Sequence, residues 1–301
     1  MNILVTGCNG YIGKHACEYF KKRNNYIIGV GRKAESTAHI DEYIVCDFAE
    51  DDVKGKLASV FEKGVDVILH IAADNRHEPF GIDVIKSNCI GTQALLELGE
   101  EYGSKAFVQL SSIPVIGEPK EIPVTLHNEL EPPTIYHATK ILQELLADYA
   151  YRKNGFRTVS IRIPSPMGIG VNERYIFPTF IRKAISGEPI ELYGHGTRKQ
   201  TYVHVSDICD ALNRVIEEKC HGTYLLGSPN LISNADLAKM IVDVLGSNSE
   251  IKFVDKPDIY DNQKWEIDYS PLTRDAGYNP KVSLQEMILE YRDYLAEGMG
   301  K

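Results

Sequence analysis

Short apolar runs alternate with longer helix-forming stretches through the first half of the chain. The apolar runs cover residues 3–5, 26–30, 43–46, 65–71, 106–110 and 158–163. Runs of this length, bounded by turn residues, are typical of buried strands in a parallel sheet. Helix-forming residues fill the intervals 14–23, 88–101 and 138–150. This alternation predicts an α/β fold with a doubly wound, mostly parallel sheet.

The first predicted strand leads into a glycine-rich turn. Residues 6–13 read Thr-Gly-Cys-Asn-Gly-Tyr-Ile-Gly and precede a helix-forming run. Gly7 permits the tight turn, Gly10 lets a pyrophosphate approach the backbone, and Gly13 lets the helix pack closely on its strand. Phosphates would lie at the helix N-terminus, where free N–H groups and the dipole favour anions. This strand–turn–helix context predicts a dinucleotide site. A purely structural glycine turn is the alternative.

The residues after the second predicted strand bear on the choice of cofactor. A site specific for NAD usually carries an acidic residue there, which holds the ribose hydroxyls. Residues 31–33 are instead Gly-Arg-Lys. Arg32 and Lys33 can bind a 2′-phosphate, and no acid repels one. NADP(H) is therefore favoured over NAD(H), and a solvated basic turn is the alternative.

A second chemical signal lies at Ser111, Ser112, Tyr136 and Lys140. The two serines end the strand at 106–110, and Tyr136 and Lys140, four residues apart, begin a helix and share one face of it. Tyrosine titrates near ~10 in water, and a nearby ammonium lowers its pKa by favouring the phenolate. A serine hydroxyl can donate to a reacting oxygen. These groups predict proton transfer at the carboxyl edge of the sheet, where open α/β sheets bind ligands.

The Tyr-x-x-x-Lys spacing alone is not specific. It also occurs at 149/153 and 260/264. Only the pair at 136/140 begins a helix and follows a strand that ends in two serines. The prediction of a proton-transfer site therefore rests on the position of this pair and not on its spacing. A Tyr136 ring that simply packs on the sheet is the alternative.

Composition narrows the class of protein. The chain has 301 residues, 43% of them hydrophobic, and a net charge of −9, which argues against a nucleic-acid or anionic-membrane surface. The six cysteines show no C-x-x-C pair and no metal spacing, so we expect reduced thiols and no metal site. His70 and His204, at strand ends, are expected to be structural. A strand directly after Met1 and the lack of a membrane-spanning apolar run predict a cytoplasmic protein without a membrane partner.

The second half of the chain mixes both patterns. The predicted elements are a loop at 164–170, a helix at 178–186, a strand at 202–205 and a helix to 218. Ser206 is a plausible N-cap for the last of these helices. Ser233 with Asp236, and Ser283 with Glu286, form capping-box patterns that predict two further helices.

These elements predict two domains. A dinucleotide-binding domain would cover residues 1–163, with 200–220 returning to it. A smaller, discontinuous α/β substrate-binding domain would cover 164–199 and 221–301. The site is expected in the cleft between them.

In this order the motifs resemble those of the extended short-chain dehydrogenase/reductases, specifically the NAD(P)-dependent epimerase/dehydratase family acting on nucleotide sugars. The resemblance covers nearly the whole chain. It rests on the glycine turn, on His-Ile-Ala-Ala at 70–73, on the Asn-x-x-Gly-Thr motif at Asn88, on the serines upstream of Gly117, on Tyr136 with Lys140, and on Tyr-Val-His-Val-x-Asp at 202–207. It implies a Rossmann fold and a homodimer formed through the helices at 88–101 and 136–151.

The resemblance also implies roles for individual residues. Tyr136 would exchange the proton, Lys140 would tune Tyr136 and hold the nicotinamide ribose, and Ser112 would bind the reacting oxygen. Asp47 would meet the adenine, and Asn88 would support the nearby backbone and a water. The expected cofactor contacts are Gly7, Asn9, Gly10, Tyr11, Ile12, Gly13, Arg32, Lys33, Asp47, Phe48, Ile71, Ala72, Ala73, Asn88, Tyr136, Lys140 and Pro164. The expected substrate contacts are Ser111, Ser112, Ser165, Arg198 and Gln200.

Departures from the family pattern reduce the number of reactions that the chain can be expected to catalyse. Ile113 and Pro114 follow Ser112, where the dehydratases of the family carry Asp-Glu, so dehydration is rejected. Gln200 stands where many members carry an arginine for the substrate diphosphate, and Arg198 lies two residues earlier. The nucleotide part of the substrate is therefore left open.

The predicted function is NAD(P)(H)-dependent hydride transfer on a nucleotide sugar, at C4. A 4-keto reductase is slightly preferred because Arg32 and Lys33 favour NADPH. A UDP-hexose 4-epimerase, which oxidises and re-reduces its substrate on one bound NAD, is the alternative. A non-catalytic NAD(P)-sensing protein is a third possibility, which the intact Ser112, Tyr136 and Lys140 disfavour.

Overall fold

A seven-stranded parallel sheet forms the centre of the computed structural model, which describes residues 1–75 and 81–299. The strands are β1 (Asn2–Thr6), β2 (Tyr26–Gly31), β3 (Glu42–Val45), β4 (Val67–His70), β5 (Ala106–Ser112), β6 (Thr158–Ile163) and, later in the chain, β10 (Gly222–Leu225). Their order is β10-β6-β5-β4-β1-β2-β3. The connections diverge on either side of the β1–β4 boundary, which opens a crevice at the carboxyl ends of these strands. The predicted doubly wound α/β fold is confirmed.

Helices cover both faces of this sheet. In chain order, the helices of the described residues are α1 (Tyr11–Lys21), α2 (Val53–Glu62), α3 (Ile82–Ile85), α4 (Gly91–Glu101), α5 (Ile135–Asn154), α6 (Ile176–Ser186), α7 (Val205–Glu217), α8 (Asn234–Leu245), α9 (Ser270–Ala276) and α10 (Leu284–Met299). Of these, α6, α8 and α10 pack away from the large sheet. Because alternate strand residues point to opposite faces, Ile3 and Val5 pack with α1 and α7. Leu4 between them packs with α2 and α4. Burial on both faces explains why the strands read as continuous apolar runs.

A smaller set of elements follows β6. Strands β7 (Ser165–Met167), β9 (Lys199–His204) and β11 (Leu231–Ser233) form one sheet, and β8 (Ile190–Leu192) pairs with β12 (Ile251–Phe253). Helices α6, α8 and α10 enclose a separate apolar core that includes Phe177, Leu237, Ile241, Met287 and Tyr291. This core supports the wall of the crevice opposite the large sheet.

Two strands of the second half pair differently from what the predicted division of the chain suggests. Gly222–Leu225 pairs in parallel with β6 and so belongs to the large sheet, although residues 221–301 were expected in the second domain. Lys199–His204 pairs with β7 and β11 and not with the large sheet. Strand pairing depends on which edges meet in space, and the local pattern does not encode it. The two-domain boundaries themselves stay a prediction.

Local signals predicted most helix ends. Both predicted caps are present: Ser233 Oγ accepts the Asp236 N–H at 3.0 Å, and Ser283 and Glu286 exchange both bonds of a capping box, at 2.7 and 3.2 Å. Helix α7 differs, because His204 and not Ser206 is its N-cap. The helix expected at 88–101 begins earlier, since α3 and a π-helical turn (Lys86–Ile90) precede α4. The loop expected at 164–170 contains β7.

Candidate active site

A cleft of about 1000 Å³ opens at the carboxyl ends of β1, β4 and β5 and faces β7 and β9. The expected site residues that line it are Gly7, Asn9, Gly10, Tyr11, Ile12, Gly13, Arg32, Lys33, Phe48, Ile71, Ala72, Ala73, Ser111, Ser112, Tyr136, Pro164, Ser165, Arg198 and Gln200. Asp47, Asn88 and Lys140 do not line it. The fold therefore brings most of the predicted set to one place.

The glycine turn is shaped to hold an anion. Gly7 has a φ of +69°, and its carbonyl accepts the Gly10 N–H at 2.8 Å. A Cβ on Gly13 would lie 2.1 Å from the Gly7 oxygen, so only glycine lets α1 start this close to the turn. Since the first N–H groups of a helix have no intrahelical partner, the start of α1 presents donors to the cleft. This cradle fits a dinucleotide pyrophosphate.

The turn after β2 carries free positive charge. Arg32 and Lys33 are exposed at the cleft, and neither forms an ion pair with any residue that the structure describes. The Lys33 carbonyl accepts from the Tyr43 hydroxyl at 2.7 Å, and the same hydroxyl accepts from Asn9 at 3.1 Å. These bonds tie the basic turn to the glycine turn. The Asp47 carboxylate accepts the Ala49 N–H at 3.0 Å.

Lys140 is buried beneath the cleft. Its Nζ donates to the Leu110 carbonyl of β5 at 2.8 Å, and burial lowers its pKa to about 8. Behind it, Asn88 accepts the Asp74 N–H at 2.7 Å and donates to the Asp74 carbonyl and to Thr139 Oγ1, each at 2.9 Å. These bonds fasten the start of α5 to the end of β4 and to the segment after it. Both residues thus shape the floor of the cleft.

Tyr136 lies in the first turn of α5, which Thr134 caps. Burial, and then the neighbouring Tyr175, raise the pKa of Tyr136 to about 12. The lowering expected from Lys140 does not occur, because the ammonium is bonded to the Leu110 carbonyl and lies 5.8 Å from the Tyr136 ring centroid. The prediction of a depressed tyrosine pKa included the positive charge of an oxidised cofactor, and for that complex it stays a prediction.

The two serines at the end of β5 have different surroundings. Ser111 is buried and donates its hydroxyl proton to Glu144 at 2.5 Å. Glu144 in turn accepts two bonds from Arg162, at 2.9 and 2.7 Å. Ser112 is half-buried, and its hydroxyl bonds to none of the residues that the structure describes. Ser112 is thus the serine free to meet a reacting oxygen.

Sequence reasoning missed several residues that line the cleft, among them His137, Arg174, Tyr175 and Trp265. His137 lies inside the Tyr136–Lys140 spacing, which was a signal, and the other three lie in no recognisable motif. Two lysines that follow in the chain are engaged elsewhere: Lys256 lies over the Tyr193 ring at 5.1 Å, and Lys264 pairs with Glu266.

The two histidines at strand ends are part of the scaffold. His70 is buried, with its ring nitrogens 2.8 Å from the Thr6 and Thr92 hydroxyls. Burial, and then the charge of Lys140, lower its pKa to about 3. His204 bonds to Glu290 at 2.8 Å. Among the described residues, no cluster of His, Cys, Asp or Glu could hold a metal ion.

Comparison with known proteins agrees with this geometry. The model of the NAD dependent epimerase/dehydratase family matches residues 3–227. The low-salt glycan biosynthesis protein Agl12 of Haloferax volcanii is 27% identical over 311 residues, which cover 98% of each chain. These matches extend over most of the fold. They include the glycine turn and the segment with Ser111, Ser112, Tyr136 and Lys140.

Two crystal structures share the fold. UDP-glucose 4-epimerase of Thermotoga maritima, with UDP-glucose, superposes with a TM-score of 0.88 at 23% identity, over 99% of this chain and 100% of that chain. UDP-glucuronic acid 4-epimerase of Bacillus cereus, with UDP-glucuronic acid and NAD, gives a TM-score of 0.83 at 23% identity, over 99% of each chain. The cofactor there is NAD, so this comparison does not support a preference for NADP(H). Within the described part of the chain, no helix has the length and apolarity needed to span a membrane.

Proposed function

Because the chain belongs to the NAD dependent epimerase/dehydratase family of enzymes, we propose that it transfers hydride at C4 of a nucleotide sugar. The observation that carries the proposal is the meeting of Ser112 and Tyr136 in one cleft with the anion-binding start of α1, with Lys140 directly beneath. A bound nicotinamide would accept or supply the hydride. The proton and the reacting oxygen would be handled by the side chains of this chain.

Each side chain has a distinct task in this proposal. Ser112 donates its free hydroxyl to the substrate oxygen, which stabilises developing negative charge. Tyr136 exchanges the proton with that oxygen. Lys140 holds the floor of the site through its bond to the Leu110 carbonyl, and its ammonium would have to turn from that carbonyl to hold the cofactor ribose. Asn88 holds α5 in place. Gly7, Gly10 and Gly13 receive the pyrophosphate at the start of α1.

A 4-keto reductase remains our first candidate. The raised pKa of about 12 keeps Tyr136 protonated at pH 7, and this is the form that donates a proton to a ketone oxygen. The free charges of Arg32 and Lys33 suit the 2′-phosphate of NADPH. Dehydration is disfavoured, since Ile113 and Pro114 follow Ser112 and the described lining residues include no carboxylate.

A 4-epimerase is the second candidate. The two crystal structures compared above are 4-epimerases by name, and one contains NAD. This reaction would need Tyr136 to act as a base as well as an acid. The two candidates share the same site and differ in whether the cofactor is consumed.

We also propose a homodimer and the two-domain division predicted above. Leu142, Leu145 and Tyr149 leave an apolar stripe of α5 exposed, and Ile82 and Ile90 do the same beside α4. A contiguous apolar surface of this kind is typical of an interface. A second copy of the chain can cover it symmetrically.

The experiment that tests the proposal is identification of the bound cofactor, followed by assays on a panel of nucleotide sugars. Absorbance and mass of the nucleotide that co-purifies distinguish tightly held NAD, expected for an epimerase, from exchangeable NADP, expected for a reductase. Turnover of a 4-keto sugar with NADPH would support the reductase. Zero turnover across the panel by a protein that binds the cofactor would overturn both candidates.

A further inference from the structure

An apolar corner of the cleft, formed by Ile113, Pro114 and Trp265, lies beside Ser112. Ile113 and Pro114 follow Ser112 directly, begin a short 3₁₀ turn (Ile113–Ile116) and line the cleft. Ile113 belongs to a buried apolar cluster, and Trp265, which also lines the cleft, packs against that cluster. The proposed function places the reacting oxygen on the Ser112 hydroxyl, so a substituent close to that oxygen meets this corner.

The polar groups of Trp265 are all bonded within the protein. Its indole N–H donates to Gln263 Oε1 at 3.1 Å. Its backbone N–H donates to the Lys199 carbonyl at 3.0 Å, and its carbonyl accepts from the Thr201 hydroxyl at 2.7 Å. What Trp265 presents to a ligand is therefore its ring.

The neighbouring polar groups are engaged as well. Proline has no backbone N–H, and the Pro114 carbonyl accepts the Gly117 N–H at 3.0 Å. The Ser111 hydroxyl donates to Glu144. The side chains of the apolar corner thus offer no free hydrogen-bonding group besides the hydroxyl of Ser112. A sugar hydroxyl pressed against them would give up its hydrogen bonds to water without replacement.

The chemistry of a 4-keto sugar indicates which carbon lacks its oxygen. When the C4 oxygen of a hexose lies on Ser112, the nearest other hydroxyls are those on C3 and C6. A ketone at C4 acidifies the hydrogen on C5, so that a base can remove it and the C6 hydroxyl can leave as water. The C3 hydroxyl stands on the carbon next to the ketone and has no such route. Of these two carbons, C6 is therefore the one that elimination deoxygenates.

We propose that the sugar is a 4-keto-6-deoxyhexose whose C6 methyl group lies against the apolar corner. This rests on the proposed function, because the C4 oxygen on Ser112 decides which substituent reaches Ile113 and Pro114. The ketone carbon accepts a hydride from the reduced nicotinamide, and the carbonyl oxygen takes the proton of Tyr136, which solvent replaces. The products are a 6-deoxyhexose with a C4 hydroxyl and the oxidised cofactor.

The proposal also assigns the class of reaction that precedes this one. A hexose becomes a 4-keto-6-deoxyhexose by loss of one water. The hydride that leaves C4 returns to C6, so C4 is oxidised and C6 is reduced. The elimination step needs an acid and a base at C5 and C6, and the described residues that line this cleft include no aspartate or glutamate. A separate enzyme that performs a 4,6-dehydration must therefore supply the substrate.

Kinetics in the oxidation direction test the proposal with a matched pair of sugars. UDP-6-deoxyglucose and UDP-glucose differ by one oxygen at C6, and each is offered to the full chain with NADP⁺ and with NAD⁺. Wild type should show a kcat/KM for the 6-deoxy sugar that is roughly ten- to a hundredfold higher, the range by which an apolar pocket rejects an added hydroxyl. The galacto pair, and the same pairs carrying dTDP or GDP, extend the panel to the other C4 configuration and other bases.

Variants of Pro114 test the corner itself. Pro114 is half-buried at the cleft, so Pro114→Gln adds an amide without opening the core. It should bind the C6 hydroxyl and reduce the preference for the 6-deoxy sugar severalfold, and the smaller Pro114→Ser should act in the same direction. Pro114→Ala stays apolar and should keep the wild-type preference. Pro189→Gln makes the same change at an exposed proline outside the cleft and should leave kcat/KM for both sugars unchanged.

The proposal is overturned if wild type oxidises both sugars of every pair with equal kcat/KM or prefers the 6-hydroxy sugar. It is also overturned if Pro114→Gln and Pro114→Ser keep the full preference. Failure of the proposed function looks different: calorimetric titration of the cofactor-saturated protein still shows tighter binding of the 6-deoxy sugar, weakened in Pro114→Gln, but neither sugar is oxidised. Equal binding without oxidation overturns both.

Discussion

Tyr136 and Lys140 show how burial acts on single side chains. Removal from water disfavours the charged form of each group, so it raises the pKa of Tyr136 to about 12 and lowers that of Lys140 to about 8. Both shifts favour the neutral species. The protein alone thus holds Tyr136 as an acid, and any basic role requires further positive charge in the cleft.

The first prediction concerns Tyr136. Tyr136→Phe keeps the ring and removes the proton donor, so turnover should fall by roughly 10²–10⁴ with little change in cofactor affinity. Tyr149→Phe and Tyr260→Phe carry the same change in the two other Tyr-x-x-x-Lys pairs and should stay within a few-fold of wild type. Steady-state kinetics with cofactor titration checks all three. Near-normal turnover of Tyr136→Phe would show that the active site is assigned to the wrong residue.

The second prediction concerns the buried charge of Lys140. Its pKa is lowered from 10.5 to about 8 by burial, so between these values the unfolded chain binds more protons than the folded one. This residue should therefore increase the free energy of unfolding of wild type as pH rises from about 8 to 10. Lys140→Met should not show this increase.

Urea unfolding of wild type and Lys140→Met at pH 7, 8, 9 and 10 measures the effect. The stability difference should shift in favour of wild type only above pH 8. A difference that is constant across this range would mean that Lys140 titrates normally. The variant should also lose turnover and cofactor affinity, because we assign Lys140 to both.

At the scale of elements, β5 and α5 carry the residues to which we assign catalysis. Lys140 bonds to the Leu110 carbonyl, Ser111 bonds to Glu144, and Gln109 donates to the Gln143 carbonyl at 3.0 Å. Three bonds between one strand and one helix set the distance from the serines to Tyr136. A reaction in which the serine and Tyr136 act on the same substrate oxygen requires this fixed distance.

The third prediction concerns the turn after β2. If Arg32 meets a 2′-phosphate, Arg32→Ala should weaken NADPH binding by about ten- to a hundredfold and NADH binding much less, because only NADPH carries that charge. Fluorescence titration with NADPH and with NADH measures both dissociation constants and so the ratio between them. Lys22→Ala removes a cation in a surface pair with Glu18 and serves as the control. Equal wild-type affinities for NADPH and NADH, or equal losses in the variant, would end the NADP interpretation.

At the scale of the whole molecule, the helices on one side of the large sheet leave large apolar side chains exposed. Leu145 and Tyr149 of α5 are 56% and 57% exposed, and Ile90, on the neighbouring π-helical turn, is 57% exposed. Helix α5 already packs on the sheet through residues such as Ala147 and Ala150. The outer stripe is therefore available to a second chain.

The fourth prediction follows from this stripe. Wild type should sediment as a dimer at micromolar concentration. Leu145→Glu should sediment as a monomer, because it would place a charge in the centre of the apolar contact. Leu126→Glu alters a similarly exposed leucine in a loop, 40% exposed, and should remain dimeric. A monomeric wild type would contradict the proposed homodimer.

Local sequence patterns determined the elements and the core of the site. The glycine turn, the strand before Ser111 and Ser112, and the Tyr136–Lys140 spacing are each contained within a few residues. Their physical basis is local as well: allowed backbone angles, helix periodicity and the burial of short apolar runs. That is why the fold class, and the meeting of Ser111, Ser112 and Tyr136 at one cleft, could be predicted before any contact was known.

Only the tertiary structure decided which edges pair and which charges stay free. Gly222–Leu225 completes the large sheet, Lys140 turns its ammonium to the Leu110 carbonyl, and Arg198 rests on Tyr260. Each contact joins segments far apart in the chain, so no local pattern encodes it. Burial and pairing set the pKa values, and they leave Arg198 Nε without a hydrogen-bond partner among the described residues. Both arise only once these segments meet in space.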